Sequence, residues 1–118
     1  SHLMFYSNTA ATSGIEVKYN IFYNATEWGS RYSSGWKVLP DMDHNLWFTK
    51  TGVMAFWFRQ KIGPFEDYRR TTGLDAHSQF ADPEFVDAAH GDYRPGANSP
   101  ARKLRPDGGP VGAESLWR

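Results

Sequence analysis

Cysteine is absent from the 118 residues, which excludes a disulfide scaffold, a thiolate nucleophile and a Cys-type zinc site. Net charge is absent too, since 13 Lys and Arg balance 13 Asp and Glu. Nucleic acid and anionic membranes are usually met by a basic face, so neither is expected as the main partner. No apolar run approaches the roughly 18 residues that span a bilayer. The opening residues have no basic segment leading into an apolar core, so no signal peptide is read there. The chain reads as a mature secreted protein, secreted or periplasmic, or as a piece cut from a longer one. What stands in excess is aromatic: 5 Trp, 6 Tyr and 8 Phe, 16% of the chain, at a mean hydropathy of −0.62.

Ser1-His2-Leu3-Met4 resembles the remnant of a cleaved affinity tag, so residues 1–4 are set apart. Residues 5–113 read as one domain, a fragment or module of a longer protein, and 114–118 as a C-terminal tail. Ile15, Val17, Tyr19 and Ile21 alternate with Glu16, Lys18 and Asn20, the period-two pattern of a half-buried strand. Tyr19-Asn20-Ile21-Phe22-Tyr23 also matches His44-Asn45-Leu46-Trp47-Phe48 position by position: a ring, Asn, an aliphatic residue, two aromatics. Such a repeat suggests a solenoid of stacked turns with Asn at the corners, where it tolerates left-handed backbone. Unrelated strands of a sandwich are the alternative.

Thr26 to Pro40 is rich in Gly and Ser, lacks a period and reads as a loop holding Trp28, Tyr32 and Trp36. Val53 to Phe58 is continuously apolar, as in a buried strand or helical turn. Gly63 to Gly73 predicts a short helix: Pro64 begins it, Glu66 and Asp67 fill its first turn, Arg69 and Arg70 its end, and Gly73 stops it. Six of the seven prolines lie at or after Pro64, so the last third predicts an extended, wrapping chain with turns.

Gly73-Leu74-Asp75-Ala76-His77-Ser78, Ala81-Asp82-Pro83-Glu84-Phe85-Val86-Asp87 and Gly91-Asp92-Tyr93-Arg94, followed by Pro95-Gly96 and Ser99-Pro100-Ala101, resemble a known ending. It is the C-terminal end of secreted pectate-lyase-like, right-handed parallel β-helix proteins that act on polysaccharides. The likeness spans roughly residues 14–113, with residues missing after Arg94 and Ala97-Asn98 inserted. It implies an all-β fold: a short right-handed parallel β-helix (solenoid) with one short helix and an extended C-terminal wrapping tail. At 118 residues such a solenoid is short. Its ends would need covering, by parent-chain coils or in a homo-oligomer.

The likeness does not fix an activity, because the same ending occurs in lyases, glycoside hydrolases, epimerases and non-catalytic modules. The preferred reading is a carbohydrate-binding or accessory module of a secreted polysaccharide-degrading system, not itself catalytic. Trp28, Tyr32 and Trp36, with Arg31 and Trp57, would stack on and hydrogen-bond a polysaccharide or oligosaccharide. The second reading is the C-terminal portion of a glycoside hydrolase or polysaccharide lyase, with Asp41, Asp43 and His44 as the acid/base candidates, because residues i and i+2 of a strand share a face. The third is an oligomerisation domain in which the rings bind no sugar. Arg59, Lys61, Arg69 and Arg70 are the cations available to an acidic sugar. Four scattered His make no zinc motif, so no metal site and no cofactor are read. Calcium is the one ion the resemblance allows, though no carboxylate trio has calcium-loop spacing.

Overall fold

The computed structural model describes residues 3–5, 15–24, 28–32, 41–50, 55–58, 60–62 and 64–113. The 15–24 segment does not run as one strand. It forms β2 (Glu16–Lys18) and β3 (Ile21–Tyr23), broken at Tyr19, whose φ is +63°. The matching segment repeats this break, with β5 (Asp41–Asp43) and β6 (Leu46–Phe48) separated at His44, φ +54°. The two halves pair in parallel, Val17 beside Met42 and Phe22 beside Trp47. The left-handed backbone thus falls on Tyr19 and His44 and not on the asparagines that follow. Their contribution is the side-chain amide.

The β-branched, aliphatic and aromatic residues of β3 and β6 suit a pleated surface that is covered on both sides. Leu46 and Trp47 point to opposite faces, and both are wholly buried. Trp47 stacks on Phe22 at 4.2 Å, and Phe48 stacks on Tyr23 at 6.1 Å. A third parallel strand, β9 (Gln79–Phe80), joins β6 for two residues only.

Elsewhere β1 (Leu3–Phe5), β4 (Trp28–Tyr32) and β7 (Ala55–Phe58) pair in parallel, and β8 (Gln60–Ile62) returns antiparallel to β7. β10 (Phe85–Asp87) and β11 (Asp92–Pro95) form a separate antiparallel pair. On β11 the Arg94 guanidinium grips the Asp92 carboxylate at 2.6 and 2.8 Å, and with the Arg94 amide holds its pKa down to about 2.

The expectation of an all-β, short right-handed parallel β-helix (solenoid) is therefore overturned. The described residues form short sheets of two to four strands, mixed parallel and antiparallel, with one helix. Repetition of a coil stops because the chain turns back on itself after β7, enters a helix after Pro64, and then forms the β10–β11 hairpin ahead of its C-terminal segment. The loop reading of Thr26 to Pro40 is corrected at its five described residues, 28–32, the rest lying outside the described residues. Trp28–Tyr32 is strand β4, hydrogen-bonded between β1 and β7.

The helix α1 spans Phe65–Thr72 and meets the sequence prediction closely. Pro64 caps its start, and Gly73, at φ +73°, sends its N–H back to the Arg69 carbonyl at 2.9 Å. Phe65 and Tyr68 are buried, and Tyr68 Oη lies 3.3 Å from Met42 Sδ, so the helix is keyed to β5. On the other side Leu46 packs with Ala101, Leu104 and Val111 from the C-terminal segment. That segment is pinned where Gly112 N–H donates to the Tyr19 carbonyl at 2.8 Å and Val111 N–H to Ala101 at 2.8 Å. Among the described residues no helix is long and apolar enough to cross a membrane.

Candidate functional site

Among the described residues three features carry side-chain chemistry: a buried carboxylate, an Asp–His corner and an aromatic groove. The buried carboxylate is Asp75, in the turn after α1, at 0% exposure. Its Oδ1 accepts from Ser78 Oγ at 2.5 Å and from Asn45 Nδ2 at 3.2 Å, and its Oδ2 from Tyr68 Oη at 2.8 Å. Burial pushes the Asp75 carboxyl above its ordinary pKa, and hydrogen bonds from Ser78, Asn45, Tyr68 and Trp47 oppose that rise. This group joins helix, turn and sheet, and it has no opening to solvent. It is part of the framework beneath the corner.

The corner lies directly above. Asp43 ends β5, His44 occupies the left-handed position after it, and His77 comes from the turn between α1 and β9. Asp43 Oδ1 accepts two backbone N–H groups, from His44 at 2.9 Å and from His77 at 2.6 Å. Its Oδ2 accepts from His77 Nδ1 at 2.7 Å and lies 3.7 Å from His44 Nε2. His44 Nδ1 meets the Leu104 carbonyl at 3.0 Å. A carbonyl only accepts, so Nδ1 of His44 carries a proton and Nε2 is the ring nitrogen turned toward Asp43. The His44 and His77 rings lie 5.2 Å apart, 9° from parallel. Tyr19 follows on the other side of His44 at 5.9 Å, and the Arg105 guanidinium sits 4.4 Å over the Tyr19 ring. Burial raises the Asp43 pKa, but the His77 side chain, the two amides and His44 outweigh it, so the carboxyl titrates below its usual range.

Of the sequence candidates, Asp43 and His44 meet in this corner and Asp41 does not. Asp41 instead holds Lys18 Nζ at 2.8 Å. Trp28, Arg31 and Tyr32 lie on β4, where Arg31 is in register with Trp57 of β7, and Tyr32 with Phe5 and Phe58. Trp36 and Arg59 lie outside the described residues. Lys61 sits on β8 in register with Trp57. Arg69 is drawn to Glu66 at 3.3 Å and to the Ala76 carbonyl at 3.0 Å, and Arg70 to Asp67 at 2.5 Å, so both cations are already satisfied within the fold.

The groove was not foreseen from the sequence. Tyr23 of β3, Phe85 of β10 and Tyr93 of β11 form its aromatic wall, with Ile21, Asn20 and Gly112 beside them, around a space of about 580 Å³. Phe85 meets Tyr23 edge to face at 4.9 Å and Tyr93 at 5.4 Å. Tyr93 remains 48% exposed. Only the fold reveals that a hairpin and the C-terminal segment carry Phe85 and Tyr93 against Tyr23.

No family model, no curated protein and no solved structure matches this chain.

Proposed function

We propose that this chain is a carbohydrate-binding domain and that the Tyr23–Phe85–Tyr93 groove is where it holds sugar. The carrying observation is an open aromatic groove of about 580 Å³ with one ring, Tyr93, presented to solvent. That volume suits a small ligand such as one or two sugar rings. Sugar rings offer C–H faces that stack on phenol and phenyl surfaces, while Tyr hydroxyls, the Asn20 amide and nearby backbone suit their hydroxyls. Such recognition needs no net charge, consistent with the balanced composition.

Affinity electrophoresis in gels containing pectin, xylan or alginate tests the proposal. Wild type is expected to be retarded by at least one of them. Tyr93→Ala should weaken that binding about tenfold, the worth of one aromatic contact, with an unchanged far-UV spectrum. Retardation unaffected by Tyr93→Ala and Tyr23→Ala would overturn the assignment of the groove. Absence of retardation in all three gels would count against carbohydrate binding itself.

A further inference from the structure

We propose that Asp43, His44 and His77 form a binding site for a divalent transition-metal ion, with Zn²⁺ as the best match. The site is separate from the aromatic groove and does not depend on its reading. One carboxylate oxygen and two imidazole nitrogens lie within 4.8 Å of one another. A metal about 2.0–2.2 Å from each donor requires donor separations near 3.0–3.5 Å. The separations at Asp43 Oδ2, 2.7 Å to His77 Nδ1 and 3.7 Å to His44 Nε2, bracket that range.

The surroundings are arranged as metal sites require. His44 donates its second ring nitrogen to a backbone carbonyl, Leu104, which sets the tautomer and aims Nε2 at the shared centre. Leu104 is itself in the buried cluster with Leu46, so that aim rests on the core. Two backbone amides anchor Asp43 Oδ1 and leave Oδ2 turned to the imidazoles. Two nitrogen donors favour zinc and its neighbours over calcium or magnesium, which prefer all-oxygen sets.

The near-parallel rings mean that one imidazole must turn to point its lone pair at the ion. His77 can do so, since its side chain is 71% exposed. On loading, the ion takes the place of the proton on His77 Nδ1, which passes to Nε2 of a neutral ring or, from an imidazolium, to solvent, so that His77 ligates as a neutral imidazole with Nε2–H, and the exposed side leaves a position for water. The chain then has a three-ligand site with an open face, the arrangement found in catalytic rather than purely structural zinc centres.

Calorimetric titration of chelator-treated protein with ZnCl₂, and the visible spectrum on adding CoCl₂, test this. One equivalent is expected to bind, with cobalt bands of a four- or five-coordinate ion. His77→Ala changes an exposed side chain and should keep the fold. It should weaken binding more than the about 10–100-fold lost with an outer-shell partner, and Asp43→Asn should do the same. His2→Ala and His90→Ala should leave affinity unchanged. Absence of binding, binding indifferent to His77→Ala, or binding that follows His2 or His90 would overturn the proposal and leave the corner as a hydrogen-bonded turn.

Discussion

Asn45 Oδ1 accepts two hydrogen bonds from Asn20, one from the backbone N–H at 3.0 Å and one from the side-chain amide at 3.1 Å. On its other end Asn45 Nδ2 donates to the Val17 carbonyl at 2.9 Å and to Asp75 Oδ1 at 3.2 Å. One fully buried amide therefore ties together two stacked segments and the turn after the helix.

Asn45→Ala removes four hydrogen bonds at once, one of them to the buried Asp75 carboxylate. Buried groups left unsatisfied cost about 1–3 kcal/mol each. Neighbours share and partly relax the loss, so about 3 kcal/mol is expected in urea unfolding. A loss below 1 kcal/mol would show that water reaches these groups.

Asp75 predicts an opposite pH trend to an ordinary acid. Its folded pKa is raised, with burial as the main cause, so the folded state holds the proton more tightly than the unfolded chain. The stabilisation is complete below the unfolded value of about 3.9 and is lost as pH rises through the folded value. Asp75→Asn removes this dependence. The stability of wild type relative to Asp75→Asn should therefore increase as pH is lowered from about 7 to about 4. Unfolding curves at several pH values check it, and a difference that shrinks toward low pH contradicts it. Asp43, whose folded pKa is lowered despite its burial, contributes in the reverse sense: its share is present above the unfolded value and lost as pH falls through the folded one.

Gly96 is held for lack of a side chain. Its N–H donates to the Glu84 carbonyl at 2.7 Å, and a Cβ there would come within 2.8 Å of the same oxygen. Gly96→Ala must push the two turns apart, and about 1–3 kcal/mol of destabilisation is expected. The measurement is the thermal midpoint, which should fall clearly, while Gly108→Ala meets no atom within 4 Å and tests only the cost of positive φ.

The sequence made some of these relationships legible and hid others. The stacking of Tyr19–Tyr23 on His44–Phe48 was readable because parallel in-register pairing places like side chains together, so a repeat in chemistry reports a repeat in space. Helix α1 was readable because Pro64, the first-turn acids and Gly73 act locally. β4 was not, because Gly29 and Ser30 interrupt its alternation and its strand conformation comes from neighbours on both sides. Two matching rungs suggest a full solenoid but do not specify one. The third, Gln79–Phe80, keeps only two paired residues before the chain turns to a hairpin. His77 is not legible as a partner of Asp43, because helix α1 separates them in sequence and no repeat announces the contact.

The C-terminal segment that covers Leu46 also sets an order of events for the nascent chain. Synthesis delivers Leu46 and its stacked partners well before Ala101, Leu104 and Val111, and before the Gly112 amide that seals Tyr19. Contacts so distant along the chain close slowly, because loop entropy is lost before they form. Until then the apolar face of β3 and β6 stays bare on the ribosome. This protein should therefore finish folding only after its last third has emerged, and that interval is when it is most exposed to aggregation.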